Sequence, residues 1–306
     1  MDDQAQELRE MTIQRKGAGS ADAGQAKTRA GARHEHEKSR RTRIIAVTSG
    51  KGGVGKTNLA VNMSIAYAEL GKRVILIDGD LGMANVNVLL NIVPKYNLLH
   101  VITQQKKMQD IIIDTEFGIK FIAGANGFSR IANLNEEELN YFAAEFSTLG
   151  NSDTIIIDTG AGIAKNVLQF VAAADEVFVV TTPEPTAITD AYGIIKIIST
   201  ELLNKDINIK LLVNRVHSPE EGKRIADRII TIVGQFLNFK VDYIGYVYED
   251  PVVTTSVIRQ KPFIVVNPTA KSSACVKHIV GRIEKIDAAN LVGISRFLQK
   301  FWEKQS

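Results

Sequence analysis

A single cysteine, Cys275, stands in the 306 residues. One thiol forms no intramolecular disulfide and leaves no cysteine cluster for zinc or iron–sulfur, so a reducing cytoplasmic home is expected. No run approaches the ~20 apolar residues that a membrane-spanning helix needs, so any membrane contact is expected to be peripheral. The first residues are acidic and amide-bearing, with no apolar stretch of the secretory type. None of His34, His36, His100, His217 and His278 has trustworthy metal-ligand spacing. The formal net charge is only +3, and no specific nucleic-acid partner is expected from it.

What charge there is lies unevenly. Seven Lys/Arg fall between Lys27 and Arg43, against Glu35 and Glu37. Such a block reads as a solvated tail that can meet phosphates or an anionic membrane. Residues 12–42 are rich in Gly, Ala, Ser and basic side chains and read as a flexible linker. Before it, residues 1–11 have helical character. Asp2 or Asp3 sits at the cap, and Ala5, Leu8 and Met11 recur at a spacing of three. That is too little apolar surface to hold a short helix alone.

From Ile44 apolar runs alternate with helical segments. The pattern predicts strands over 44–48, 74–77, 119–122, 154–157, 177–181, 209–213 and 243–247. It predicts helices over 56–70, 136–146, 164–174, 187–203, 219–237 and 270–284. Several strands are β-branched and apolar on both faces, as buried parallel strands are. The expected fold over 43–286 is therefore α/β: a doubly wound, mainly parallel sheet with helices on both faces and a ligand at the strands' carboxyl ends. Residues 287–306 form a separate tail. Leu291, Ile294, Phe297, Leu298, Phe301 and Trp302 share one helical face, and basic residues mark the other.

The chemistry is carried by Ser49-Gly50-Lys51-Gly52-Gly53-Val54-Gly55-Lys56-Thr57, set between a strand and a helix. Glycines let successive N–H groups curl around phosphate oxygens, and the helix N-terminus adds partial positive charge. Lys56 is expected to reach the β/γ-phosphates, and the Thr57 hydroxyl is expected to bind Mg²⁺. Asn58 completes the set of loop residues assigned to the nucleotide. Asp78 and Asp80 leave the end of the second strand. Asp80 is the choice to orient and polarise the attacking water, and Asp78 to support Mg²⁺. The run Ile155-Ile156-Ile157-Asp158 ends in a second Mg²⁺-directed carboxylate, with Thr159-Gly160-Ala161-Gly162 after it as a movable switch. Asn214, with a donor and an acceptor, matches adenine's edge, and Arg215, Asp250 and Pro251 are expected around the base. No Asn-Lys-x-Asp guanine motif is present, which favours ATP over GTP.

Lys51 is not needed by an ordinary P-loop, and no task for it is expected inside one subunit. With it, the loop resembles the deviant Walker A ATPases, which include the division regulator MinD and the partition protein ParA. The resemblance covers about residues 43–285. It implies an ATP-sandwiched homodimer in which Lys51 crosses to the partner's nucleotide.

Asp3-Gln4-Ala5-Gln6-Glu7-Leu8-Arg9 is similar to the N-terminal motif of the FlhG family (members are also called YlxH or FleN), MinD-like regulators of flagellar number and position. That resemblance implies activation of the signal-recognition-type GTPase FlhF through Gln4, Gln6 and Leu8, with flagellar C-ring proteins as further partners. The C-terminal stripe resembles a membrane-targeting helix of MinD-like proteins, which implies ATP-dependent attachment to an anionic membrane surface. The alternatives are a division-site or partition ATPase. A metal-cluster carrier lacks the cysteines it needs, and a non-catalytic adaptor would have no use for Asp80 and Lys51.

Overall fold

The run opening at Arg43 becomes β1 (Arg43–Ser49), buried along its whole length at the middle of a sheet. The computed structural model describes residues 42–80, 85–124, 134–202 and 207–286. The expectations for residues 1–41 and for the tail 287–306 lie outside the described residues.

The remaining strands are β2 (Val74–Gly79), β3 (Ile113–Asp114), β4 (Lys120–Ala123), β5 (Thr154–Ala161), β6 (Glu176–Thr181), β7 (Asn208–Val216) and β8 (Val241–Tyr248). Their order is β3-β4-β2-β5-β1-β6-β7-β8. Every pairing is parallel except the short β3–β4 contact. The doubly wound, mainly parallel α/β sheet expected from the sequence is thus present. The antiparallel β3 was not expected, because its two residues carry no alternation to read.

The principal helices are α1 (Lys56–Glu69), α2 (Glu136–Ser147), α3 (Lys165–Ala173), α4 (Pro185–Glu201), α5 (Pro219–Leu237), α6 (Pro251–Ile258) and α7 (Lys271–Ile286). Alternate residues of β1 feed opposite cores, as a pleated strand requires. Ile45 and Val47 meet Leu59 and Met63 of α1 and Val280 of α7 on one face. Ile44 and Ala46 join Phe142 and Phe146 of α2 on the other. Further along that face Val177, Val179 and Leu211 pack with Ile194 and Ile198 of α4 and Ile229 of α5.

Helix α6 has the sequence PVVTTSVI, β-branched and without amphipathic spacing, and was not foreseen as a helix. Its start explains it. Pro251 holds the first helical position, and the Asp250 carboxylate accepts from the Val252 N–H at 3.0 Å.

The strands' amino ends carry a second unforeseen feature. Arg43, Glu176 and Lys210 are all at most 5% exposed. Arg43 Nε donates to Glu176 Oε1, and Lys210 Nζ lies 2.8 Å from Glu176 Oε2. Arg43 also reaches Glu284 of α7 at 3.1 Å, tying the sheet to that helix. One carboxylate thus serves two buried cations.

Candidate nucleotide site

The chain leaves β1 at Ser49 and enters α1 at Lys56, at the carboxyl end of the central strand. β1 lies between β5 and β6, where the strand order reverses, the position at which open α/β sheets bind ligands. Two glycines fix the path of the loop. Gly55 has φ +91°, a left-handed conformation that only glycine adopts freely. A Cβ on Gly50 would sit 2.1 Å from the backbone oxygen of Asp190 in α4, so no larger residue fits there. The first turn of α1 holds no acidic side chain, and Gly55 gives it no side-chain cap. Its leading N–H groups and the helix dipole therefore favour an anion.

Behind the loop, Lys56 Nζ donates to Asp158 Oδ1 at 2.9 Å, with side-chain exposures of 8% and 1%. Burial pushes the Asp158 carboxyl up, and the charge of Lys56 opposes that rise. Asp158 Oδ2 is buried with no hydrogen-bond partner among the described residues. Asp78 lies beside it in register on β2. Burial first, and then the charge of Asp158, push the Asp78 carboxyl up to about 7, against N–H bonds from Asp80 at 3.1 Å and Val86 at 3.4 Å. An orphaned carboxylate oxygen next to a second crowded carboxylate suits a hard divalent cation, which bears on Mg²⁺.

In front of the loop a cavity of about 530 Å³ is lined by Lys51, Lys56, Thr57, Asn58, Asp80 and Arg215 among others. Asp80 is half-buried at its wall, with Oδ1 3.6 Å from where a Cβ on Gly160 would lie. The residue expected to orient water and the segment expected to switch are therefore neighbours.

Lys51 departs from expectation. It has a task inside its own subunit: Nζ donates to Glu184 Oε2 at 3.0 Å and to Thr186 Oγ1 at 2.9 Å. The reason lies in the sheet order, because β6 runs next to β1 and delivers the start of α4 beside the loop. Both partners are exposed, 39% for Lys51 and 53% for Glu184.

The base-side residues are divided. Arg215 lines the cavity, as does Val257 of α6; Asn214, Asp250 and Pro251 do not. Asn214 Nδ2 instead donates to the Val54 carbonyl at 2.8 Å. The Asp250 carboxylate is engaged by the Val252 N–H at 3.0 Å and by the Ser272 N–H and hydroxyl, both at 3.2 Å. The carboxylate is thus held by two helix ends and does not line the cavity. Sequence reasoning missed Glu184, Thr186, Val88 and Val257. Only Glu184 left a signal, as the charged residue of Pro183-Glu184-Pro185 between strand and helix.

Residues 45–263 match the CobQ/CobB/MinD/ParA nucleotide binding domain. The chain belongs to the MinD/ParA nucleotide-binding family. The antiactivator FleN of Pseudomonas aeruginosa is 38% identical over 245 residues, 79% of this chain and 86% of that protein. The flagellum site-determining protein YlxH of Helicobacter pylori is 33% identical, covering 86% of this chain and 89% of that one. These two bear out the resemblance to the FlhG group. Among solved structures, the septum site-determining protein MinD complexed with Mg-ADP from Pyrococcus horikoshii is 25% identical with a TM-score of 0.64, over 82% of this chain and all (100%) of that one. The chain is thus a MinD-like member of the P-loop ATPase class by fold, by loop and by relatives.

Proposed function

We propose that this chain is a nucleotide-switched regulator of flagellar number and placement, which hydrolyses ATP, dimerises with it and acts at the membrane. The observation that carries the reading is the opposite disposition of two lysines in one loop. Lys56 points inward to Asp158. Lys51 points outward and is held by two exposed partners, Glu184 and Thr186. Such a contact is worth about 0–1 kcal/mol, so a phosphate from a second subunit can replace it. The names of the relatives FleN and YlxH supply the flagellar part of the reading.

Within the site, Lys56 leaves Asp158 to meet the β/γ-phosphates, and the loop N–H groups hold their oxygens. The Thr57 hydroxyl, Asp158 and Asp78 would hold Mg²⁺, which supplies charge neutralisation at the transferring phosphate when bound. Asp80 orients the attacking water by accepting its hydrogen bond. Lys51 of each subunit reaches the other's nucleotide.

Two tails carry the output. Residues 2–10 dock on a flagellar signal-recognition-type GTPase, with Gln4 the favoured amide and Leu8 the apolar anchor. Residues 291–302 attach the ATP dimer to anionic lipid, and two such helices per dimer raise avidity. Among the described residues no helix is long and apolar enough to cross a membrane. Flagellar C-ring proteins are further partners. The deciding experiment mixes the purified chain with a flagellar signal-recognition-type GTPase and follows GTP turnover. Stimulation by the full chain and by a peptide of residues 1–20 is expected. Equal turnover with and without either would remove the flagellar assignment and leave a generic MinD-like ATPase.

A further inference from the structure

Between the short helices Val86–Leu89 and Leu98–Ile102 the chain makes an exposed loop that is fixed at both ends. Asn91 has φ +51°, a left-handed turn that asparagine tolerates better than most residues, and the Ile92 N–H bonds the Asn87 carbonyl at 2.9 Å. Ile92 packs against the core that α1 shares, and at the far end Leu98 is buried in the core on the other face. Asn97 Oδ1 accepts from the Leu99 N–H at 3.0 Å and caps the second helix.

The tip between these anchors carries Val93 and Pro94. Val93 is 95% exposed, more than any other large apolar side chain among the described residues. Pro94 has no N–H, so the tip has one backbone donor fewer to strip of water. Beside it the half-buried Tyr96 ring holds two ammonium groups, with Lys106 Nζ 4.5 Å and Lys95 Nζ 5.4 Å from its centroid. Desolvation pushes the phenol up, and the charges of Lys106 and Lys95 outweigh it and hold the phenol below its ordinary value. An apolar tip thus stands next to an aromatic ring and two cations.

An anionic lipid surface selects this combination: apolar side chains enter it, an aromatic ring lies at its boundary, and cations sit at the level of its phosphates. A protein partner would need a shaped pocket with an acidic rim, whereas a bilayer receives a projecting tip without one. The helix Val86–Leu89 that leads into the loop lines the nucleotide cavity through Val88 and Leu89, and its Val86 N–H bonds Asp78 Oδ2 at 3.4 Å. One short helix therefore separates the tip from the phosphate end of the sheet.

We propose that residues 92–96 form a second membrane contact, in which Val93 and Pro94 enter an anionic lipid surface and Lys95 and Lys106 meet its phosphates. This rests on the proposed membrane reading, and it adds to the C-terminal stripe a contact built into the ATPase core.

The test labels the full chain at position 93, through Val93→Cys in a Cys275→Ser background, with an environment-sensitive fluorophore. The probes are vesicles of phosphatidylcholine with phosphatidylglycerol, against phosphatidylcholine alone, in the presence of ATP and Mg²⁺. With the anionic vesicles the emission is expected to shift to the blue, and a nitroxide on the lipid chains is expected to quench it. The same label through Lys240→Cys, beside the edge strand β8, is expected to report water. Val93→Asp, at a site too exposed to disturb folding, is expected to weaken vesicle binding about fivefold or more. Lys95→Glu together with Lys106→Glu is expected to weaken it about tenfold or more.

A label that stays in water on chain shown by flotation to be bound would overturn this contact and leave the C-terminal stripe standing. A label already dry before lipid is added would mean that a second copy of the chain covers the tip, and would overturn it too. Equal shifts with both kinds of vesicle would overturn the pairing of the lysines with lipid phosphate. Wild-type chain that floats with neither would overturn the membrane reading as a whole, a distinguishable result.

Discussion

Lys51 Nζ lies 3.0 Å from Glu184 Oε2, bridging the P-loop to the first turn of α4 within one subunit. A lysine proposed to reach a second subunit's nucleotide is thereby held back by its own chain. Because the pair is exposed, the hold is weak, about 0–1 kcal/mol. With two such contacts released per dimer, Glu184→Ala should therefore favour the ATP dimer by a factor of about thirty or less. Lys51→Ala should remain monomeric with ATP. Light scattering after size exclusion, with ATP and with ADP, reads both. A Lys51→Ala chain that dimerises as wild type does would end the trans role.

Asp80 stands at the cavity wall, its N–H bonded to Asp78 Oδ1 at 3.1 Å. Replacing it removes the carboxylate proposed to orient water but leaves the proposed phosphate cradle. Asp80→Ala should bind ATP as wild type does, lose at least ~100-fold in turnover, and accumulate as the ATP dimer. Phosphate release and nucleotide-binding titrations separate the two effects. Loss of ATP binding instead would make Asp80 a holding residue.

The central strands and the loop were legible in sequence because they are local. β1 is an unbroken apolar run, and the glycines, Lys56 and Thr57 follow it directly. The partners of Lys51 were not legible. They lie 133 and 135 residues away and arrive only because β6 pairs with β1. The base side was legible only in part: Arg215 lines the cavity, whereas Asn214 bonds the Val54 carbonyl instead. Between Asn214 and Val216 the pairing with β8 shifts by one residue at Arg215, and composition does not record a bulge. Helix α6 failed because β-branched residues suggest a strand, while the helix is fixed by its cap and its tertiary contacts.

Glu176 serves Arg43 on one side and Lys210 on the other, far from the phosphate end of the sheet. Its removal would strand two buried cations. Glu176→Ala should cost about 3–5 kcal/mol, and the melting temperature should fall by roughly 10 °C. Nucleotide affinity below the transition should be unchanged. A melting temperature within a degree or two of wild type would mean that water compensates the cations.

Phe301 belongs to the C-terminal stripe with Leu291, Ile294, Phe297, Leu298 and Trp302. Burying one such ring contributes about 1.5–3 kcal/mol, so Phe301→Glu should weaken liposome binding at least tenfold. Flotation with anionic vesicles, with ATP and with ADP, measures it. Unchanged flotation would remove the membrane role from this stripe.

Asp250 offers a test by pH. Desolvation pushes its carboxyl up. The Val252 N–H and the Ser272 N–H and hydroxyl, with Lys271 nearby, together outweigh that push and hold it below the usual carboxylate value. A carboxylate depressed in the folded state contributes stability above its unfolded pKa, near 4, and loses it as pH falls through the folded value. The carboxylate caps α6 and also holds Ser272 in the first turn of α7, so its loss touches two helix ends. Asp250→Ala should therefore cost about 1–2 kcal/mol at pH 7. The difference from wild type should shrink steadily as the pH is lowered from 5 to 3, where the wild-type carboxylate takes up its proton. Urea unfolding across that range gives the curve. A difference that stays constant with pH would mean that the side chain's packing, and not its charge, supports the two helices.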